Sequence, residues 1–157
     1  LLDVAGEFLR PQRLTHPDTF YAYTAVFRWL QEKSGIARDI VAKALRAEGI
    51  PVATGVGRLM SDNEIFRRKL AFGYGGQPFT LHPQSERIEY SPGRLPRAHL
   101  VHDKEYLGFF LMGWPNTTDD MEDIVSAFEK IVANRGDLAA YGKEHAHEVL
   151  AYDRGRG

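Results

Sequence analysis

The stretch from Thr117 to Ala133 constrains the fold of this chain more than any other. Met121, Ile124, Val125, Phe128, Ile131 and Val132 recur at three- and four-residue intervals, so a helix here shows one continuous apolar stripe. Thr117 or Thr118 can cap it, and Asp119 and Asp120 suit the positive end of its dipole. Asn134-Arg135-Gly136 ends or interrupts it. A helix with one apolar face needs an apolar layer to lie on, and the rest of the chain must supply that layer.

Two segments have the composition for it. Phe20 to Leu30 holds Phe20, Tyr21, Tyr23, Val26, Phe27 and Trp29, an aromatic and β-branched run that favours a strand. Tyr106 to Trp114 reads as a central strand, apolar on both faces and stopped by Pro115-Asn116. Val52 to Val56 reads as a further short strand.

Short helices are expected between them. Over Ala37 to Glu48, Ile40, Val41, Ala44 and Leu45 form an apolar stripe and Asp39 sits near the positive end. Gly49 can turn left-handed past that helix, Ile50 can pack back on its last turn, and Pro51 forbids continuation. Asp62 to Leu70 is a smaller helix expected to carry Ile65, Phe66 and Leu70 inward. Leu95 to Lys104 is another, with Pro96 tolerated in its first turn. Leu2, Val4, Ala5, Phe8 and Leu9 look like the last turns of a helix ending before Pro11. Phe79 to Tyr90 shows no sustained period, and turn signals flank it at Gly73 to Pro78 and at Ser91-Pro92-Gly93. The fold class is therefore α+β, a small sheet with helices gathered mainly on one side. It is expected over residues 1–135, followed by a polar tail, 136–157, able to carry another helical stretch.

Composition removes several functions. Twenty basic and twenty-one acidic residues give a formal net charge of -1. There is thus no electrostatic reason to expect nucleic acid or an anionic membrane as partner. No apolar run approaches the ~20 residues of a spanning helix. The chain has no cysteine, which excludes disulfides, thiolate metal sites and cysteine nucleophiles and fits a reducing, cytoplasmic compartment.

Candidate chemistry is sparse. Gly73-Tyr74-Gly75-Gly76 could bring main-chain amides to a phosphate, but it lacks the phosphate-loop patterns and first of all reads as a flexible loop. His99 and His102 share a helical face beside Asp103, yet nothing nominates the third and fourth ligands a metal needs, and His145-Ala146-His147 diverges on a helix. No serine stands in a nucleophile elbow, and all six lysines lie in settings that look solvent-facing, unsuited to Schiff-base work. Arg67-Arg68-Lys69, with Arg58 nearby in sequence, could meet a phosphate or carboxylate, against the plainer reading of a solvated helix face. No catalytic residue and no metal site is nominated.

Several segments, in order, resemble one family. Arg38 to Val52, with its run Ala47-Glu48-Gly49-Ile50-Pro51-Val52, is similar to the L-x-A-E-G-I-x-V signature in the small domain of the DegT/StrS aminotransferases. Tyr21-Ala22-Tyr23 resembles that family's Y-x-Y/F strand, and Leu95-Pro96-Arg97-Ala98 its P-x-A helix start. Thr117 to Ile124 followed by Ala127-Phe128-Glu129-Lys130 is similar to its closing helix, T-x-x-D-M-x-x-I-x-x-A-F-x-K. The resemblance covers roughly residues 1–135. It implies a mainly antiparallel sheet and the C-terminal small domain of a pyridoxal-phosphate-dependent enzyme acting on a keto-sugar or related cyclic ketone.

In that family the Schiff-base lysine and most cofactor contacts belong to a large N-terminal domain. The resemblance therefore implies such a domain as partner, a homodimer in the whole enzyme, and no catalytic lysine in this chain. The abrupt start at Leu1-Leu2-Asp3-Val4 fits a cut from a longer protein. The family loop after the signature often continues with Gly-Tyr and then His or Tyr; here it reads Gly55-Val56-Gly57-Arg58-Leu59-Met60. Arg58 is the expected contact for a substrate phosphate or carboxylate, with Tyr74 lining the same mouth. The competing expectation is a stand-alone, non-catalytic α+β binding module.

Overall fold

A computed structural model describes residues 1–13, 24–70, 72, 76–110, 113 and 115–145. Along the chain these form α1 (Leu2–Ala5), β1 (Leu9–Pro11), β2 (Ala25–Trp29), α2 (Gln31–Ser34) and α3 (Arg38–Ala47). Then come α4 (Glu64–Arg67), α5 (Pro83–Arg87), α6 (Pro96–Leu100), β3 (Tyr106–Phe109), α7 (Thr118–Ala133) and α8 (Arg135–Glu144). Single 3-10 turns at Met60–Asp62 and Pro92–Arg94 and a π turn at Val101–Glu105 complete the list. The chain divides into two compact units, one from Leu1–Gly55 with Asp103–Gly157, the other Val56–His102.

In the first unit β2 lies between β1 and β3, antiparallel to both. Register pairs Leu9 with Trp29 on one side, and Ala25 with Phe109 and Phe27 with Leu107 on the other. Because side chains alternate across a strand, these residues share one face, and Leu9, Ala25, Trp29, Leu107 and Phe109 are all buried. The opposite face carries Val26, Arg28 and Tyr106, each half-buried. One face is thus covered and the other wet, the usual state of an antiparallel sheet. The α+β expectation with helices on one side holds.

The covering layer is α3 and α7. Phe128 of α7 sits against both Trp29 and Phe109, with ring centroids 6.4 and 6.2 Å apart. Phe8 also meets Trp29, with ring centroids 5.8 Å apart. The buried Trp29 indole N–H donates to the carbonyl of Ile36 at 2.9 Å, so its polar atom is satisfied inside the core. Ile40, Val41 and Leu45 of α3 fill the same core. Beyond Asn134, Leu138, Ala139 and Tyr141 of α8 pack against it as well, while 146–157, with Val149 and Leu150 where a further helical stretch is expected, lie outside the described residues.

Helix ends follow local chemistry. Gly49 has φ +86°, its amide donates to the carbonyl of Arg46, and the Ile50 amide donates to that of Leu45. This is the two-bond closure that needs a left-handed residue after the helix. At the start of α7, the Thr117 amide and hydroxyl both donate to the Asp120 carboxylate, at 2.6 and 2.8 Å. Of the two threonines, Thr117 is the cap.

Four expectations are corrected. The first segment is helical only to Ala5, and Leu9 enters β1, because its apolar side chain finds Trp29 across the sheet. Among the described residues of Tyr106 to Trp114 the strand covers Tyr106–Phe109, and it pairs at the edge of the sheet while β2 holds the centre; Leu111, Met112 and Trp114 lie outside the described residues. Val52 to Val56 makes one bridge, Ala53 with Gly108, in place of a strand. Over Asp62 to Leu70 only Glu64–Arg67 is α-helical, and Ile65 and Leu70 are 51% and 46% exposed. A helix of one turn has no second turn with which to complete an apolar face.

The second unit has its own small apolar centre. Phe66, Phe79 and Tyr90 form a triangle of ring contacts with centroids 5.5 to 6.1 Å apart. Asp62 near its start pairs with His99 near its end, Oδ1 to Nε2, at 3.3 Å.

Candidate functional site

The end of α3 and the start of α7 meet at one place in the first unit. The turn closing α3 (Gly49, Ile50, Pro51) and the opening turns of α7 (Asp120, Met121, Asp123, Ile124) line a cleft of about 170 Å³, with Phe109 and Asn116. Its form follows from the two caps: Gly49 turns the chain back on α3, and Thr117 with Asp120 fixes where α7 begins. Ile50, Phe109, Met121 and Ile124 give the lining its apolar part, and Asp120 and Asp123 its acidic part. Hydrogen bonds from the Thr117 amide and then its hydroxyl hold the Asp120 carboxyl below its ordinary value. Asp120 is therefore anionic at neutral pH.

Other polar groups are tied up in the fold. Arg28, on the wet face of the sheet, donates from Nε to the buried Glu105 carboxylate at 2.6 Å. That bond holds Arg28 above its ordinary value, against the smaller opposing effect of burial. Burial alone raises the Tyr106 hydroxyl. Lys43 donates to the Tyr141 hydroxyl at 2.5 Å and lies over its ring, and Lys130 pairs with Glu48. Ser61 is buried and donates to Asp62, which is also the partner of His99. The hydroxyl meets the carboxylate and the imidazole meets that same carboxylate, so the order differs from that of a serine nucleophile activated by histidine.

Arg58 is exposed in the loop after Gly57. Tyr74, with Gly73 and Gly75, lies outside the described residues, as do Tyr21 to Tyr23 and His147. Of the basic cluster, Arg67 and Arg68 are exposed, and Arg68 pairs with Glu64 one turn earlier at 3.3 Å. His99 is in α6 and His102 in the following π turn. Among the described residues no three His, Asp or Glu side chains converge as metal ligands, and no helix is long and apolar enough to cross a membrane.

These residues do not fit pyridoxal phosphate by themselves. Five of the six lysines are exposed and Lys69 is half-buried, whereas a Schiff-base lysine must be desolvated. The cleft between the α3 turn and α7 offers carboxylates where a phosphate needs cations or amides. No step through that cofactor is derived from this chain.

One group that sequence reading passed over is Arg38, 2% exposed at the start of α3. Its guanidinium donates to the carbonyls of Thr54, of Asp103 at 2.6 Å and of Tyr106 at 3.1 Å, and it pairs with the Asp39 carboxylate at 2.5 Å. A signal existed: positions 38, 41, 42 and 45 share one helical face, so Arg38 belongs to the stripe of Val41, Ala42 and Leu45. No protein-family model matches the sequence, and no curated protein does.

Proposed function

We propose that this chain is the C-terminal portion of a pyridoxal-phosphate-dependent aminotransferase of the DegT/StrS kind, acting on a keto-sugar or related cyclic ketone in the cytoplasm. One observation carries the reading: the A-E-G-I-P-V run and the T-T-D-D-M-E-D-I run, far apart in sequence, line one cleft over a shared core. Each run also closes or opens its helix with its own residues, Gly49 for α3 and Thr117 with Asp120 for α7.

On this reading the chain covers the cofactor cleft and excludes water, while the Schiff-base lysine and the phosphate site sit in a large domain that pairs with it. The whole enzyme works as a homodimer. Arg58 supplies a cation for a substrate phosphate or carboxylate, and Tyr74 lines the same mouth. The transcript that encodes Leu1 tests this. It is expected to carry a lysine-bearing large domain in the same or a neighbouring frame. A start codon directly ahead of Leu1 with no companion frame would favour the stand-alone binding module.

A further inference from the structure

We propose that the surface formed by the Met60–Asp62 turn, α4, the Pro92–Arg94 turn and α6 docks on a second copy of this chain, against the carboxylates that open α7. Charge is unevenly divided along the sequence. Residues 56–102 carry seven basic and four acidic side chains, a formal +3, and the remainder carries thirteen and seventeen, a formal -4. Exposed apolar side chains are divided the same way. Among the described residues eleven large ones are exposed, and nine of them lie within 56–102. A group of exposed apolar side chains rimmed by charge marks an interaction surface.

The four turns are neighbours. The Met60–Asp62 turn adjoins both α4 and the Pro92–Arg94 turn, and the latter adjoins α6. The Asp62–His99 pair ties the first to the last. Together they expose Met60, Ile65, Leu95 and Leu100 by 40% to 66%. Arg67 and Arg97 are exposed on the same elements, and neither pairs with a carboxylate among the described residues. The start of α7 is the complement. Asp119, Asp120, Glu122 and Asp123 are exposed there, and no Lys, Arg or His occurs between Tyr106 and Glu129. Ile50, Phe109, Met121 and Ile124 supply apolar lining in the adjoining cleft. An arginine fork fits a carboxylate through paired hydrogen bonds, and arginine is enriched where proteins meet. Like surfaces would set arginine against arginine or carboxylate against carboxylate, so each finds its complement only on the other kind. Every copy carries both kinds, which makes a second copy the occupant. The inference rests on these two surfaces and is independent of the aminotransferase reading.

Sedimentation equilibrium of the full chain at about 100 μM tests it. The unmodified chain is expected to self-associate at low salt. Raising salt from about 50 to about 500 mM should weaken that association by about tenfold or more. Two charge-reversed variants isolate the surfaces: Arg67→Glu with Arg97→Glu, and Glu122→Lys with Asp123→Lys. Each alone is expected to be monomeric, because its two surfaces then carry one sign. An equimolar mixture should associate again, each reversed surface meeting its complement on the other variant. A monomeric unmodified chain at low salt overturns the proposal. So does a variant that associates alone like the unmodified chain, or a mixture that stays monomeric. Should a variant fail to fold by circular dichroism, the salt dependence decides. Association weakened by salt supports the docking, and association insensitive to it refutes it.

Discussion

At the scale of single residues, the buried Glu105 carboxylate decides much. Glu105 is 4% exposed and its partner Arg28 lies on the wet face of the sheet. Removing Arg28 leaves a buried carboxylate without its cation. Arg28→Met is expected to cost about 1–2 kcal/mol, below the cost for a fully buried pair because Arg28 is partly screened by water. Urea unfolding of Arg28→Met, Glu105→Gln and the double variant checks it: the double should lose less than the sum of the singles. Phe128 poses the opposite problem, a large ring with no polar atom, packed against Trp29 and Phe109. Phe128→Ala leaves a cavity and is expected to cost about 3–5 kcal/mol. A loss below about 1 kcal/mol in the same urea titration would mean that α7 does not cover the sheet as described.

At the scale of elements, local chemistry was legible where it was self-contained. The Gly49-Ile50-Pro51 stop and the threonine cap of α7 involve only neighbours in sequence, so spacing and residue type sufficed to read them. Gly49→Ala meets no steric obstacle, since nothing lies within 4 Å, and pays only for a left-handed backbone. The expected cost is about 1 kcal/mol, read as a lowered midpoint in thermal unfolding. Asp120 sets a pH dependence with a definite sign. Its folded value is lowered from the ordinary 3.8, so the stability it lends is present above that value and lost as pH falls through the lower folded one. Far-UV circular dichroism should show an acid-induced loss of helix below about pH 4, and Asp120→Asn should remove that part of the profile.

Elements whose limits depend on distant partners were read less well. Leu9 belongs to β1 because Trp29 lies opposite it, and no neighbour in sequence records that pairing. Tyr106 to Trp114 is one apolar run, and an apolar run does not say which part of it pairs. Tyr106 in fact faces the wet side, its ring over Gly108, where an added Cβ would meet the ring at 2.7 Å. Arg38 was hidden for a related reason: its stripe position was readable, but the carbonyls that neutralise its burial come from Thr54, Asp103 and Tyr106.

At the scale of the whole molecule, the α+β layer was visible because long stripes and aromatic runs must bury against one another whatever their order. The division into two units was not, since a proline- and glycine-rich middle looks the same whether it lies over a core or folds on its own three rings. Function follows the same pattern. The segments that suggest an aminotransferase converge on one cleft, yet the chain holds no desolvated lysine among its described residues. The most direct test is borohydride reduction of the complete gene product with pyridoxal phosphate, with the modified lysine mapped by mass spectrometry. A single pyridoxyl-lysine outside residues 1–157 is the expected result. Modification of a lysine within them, or of none at all, would contradict the account.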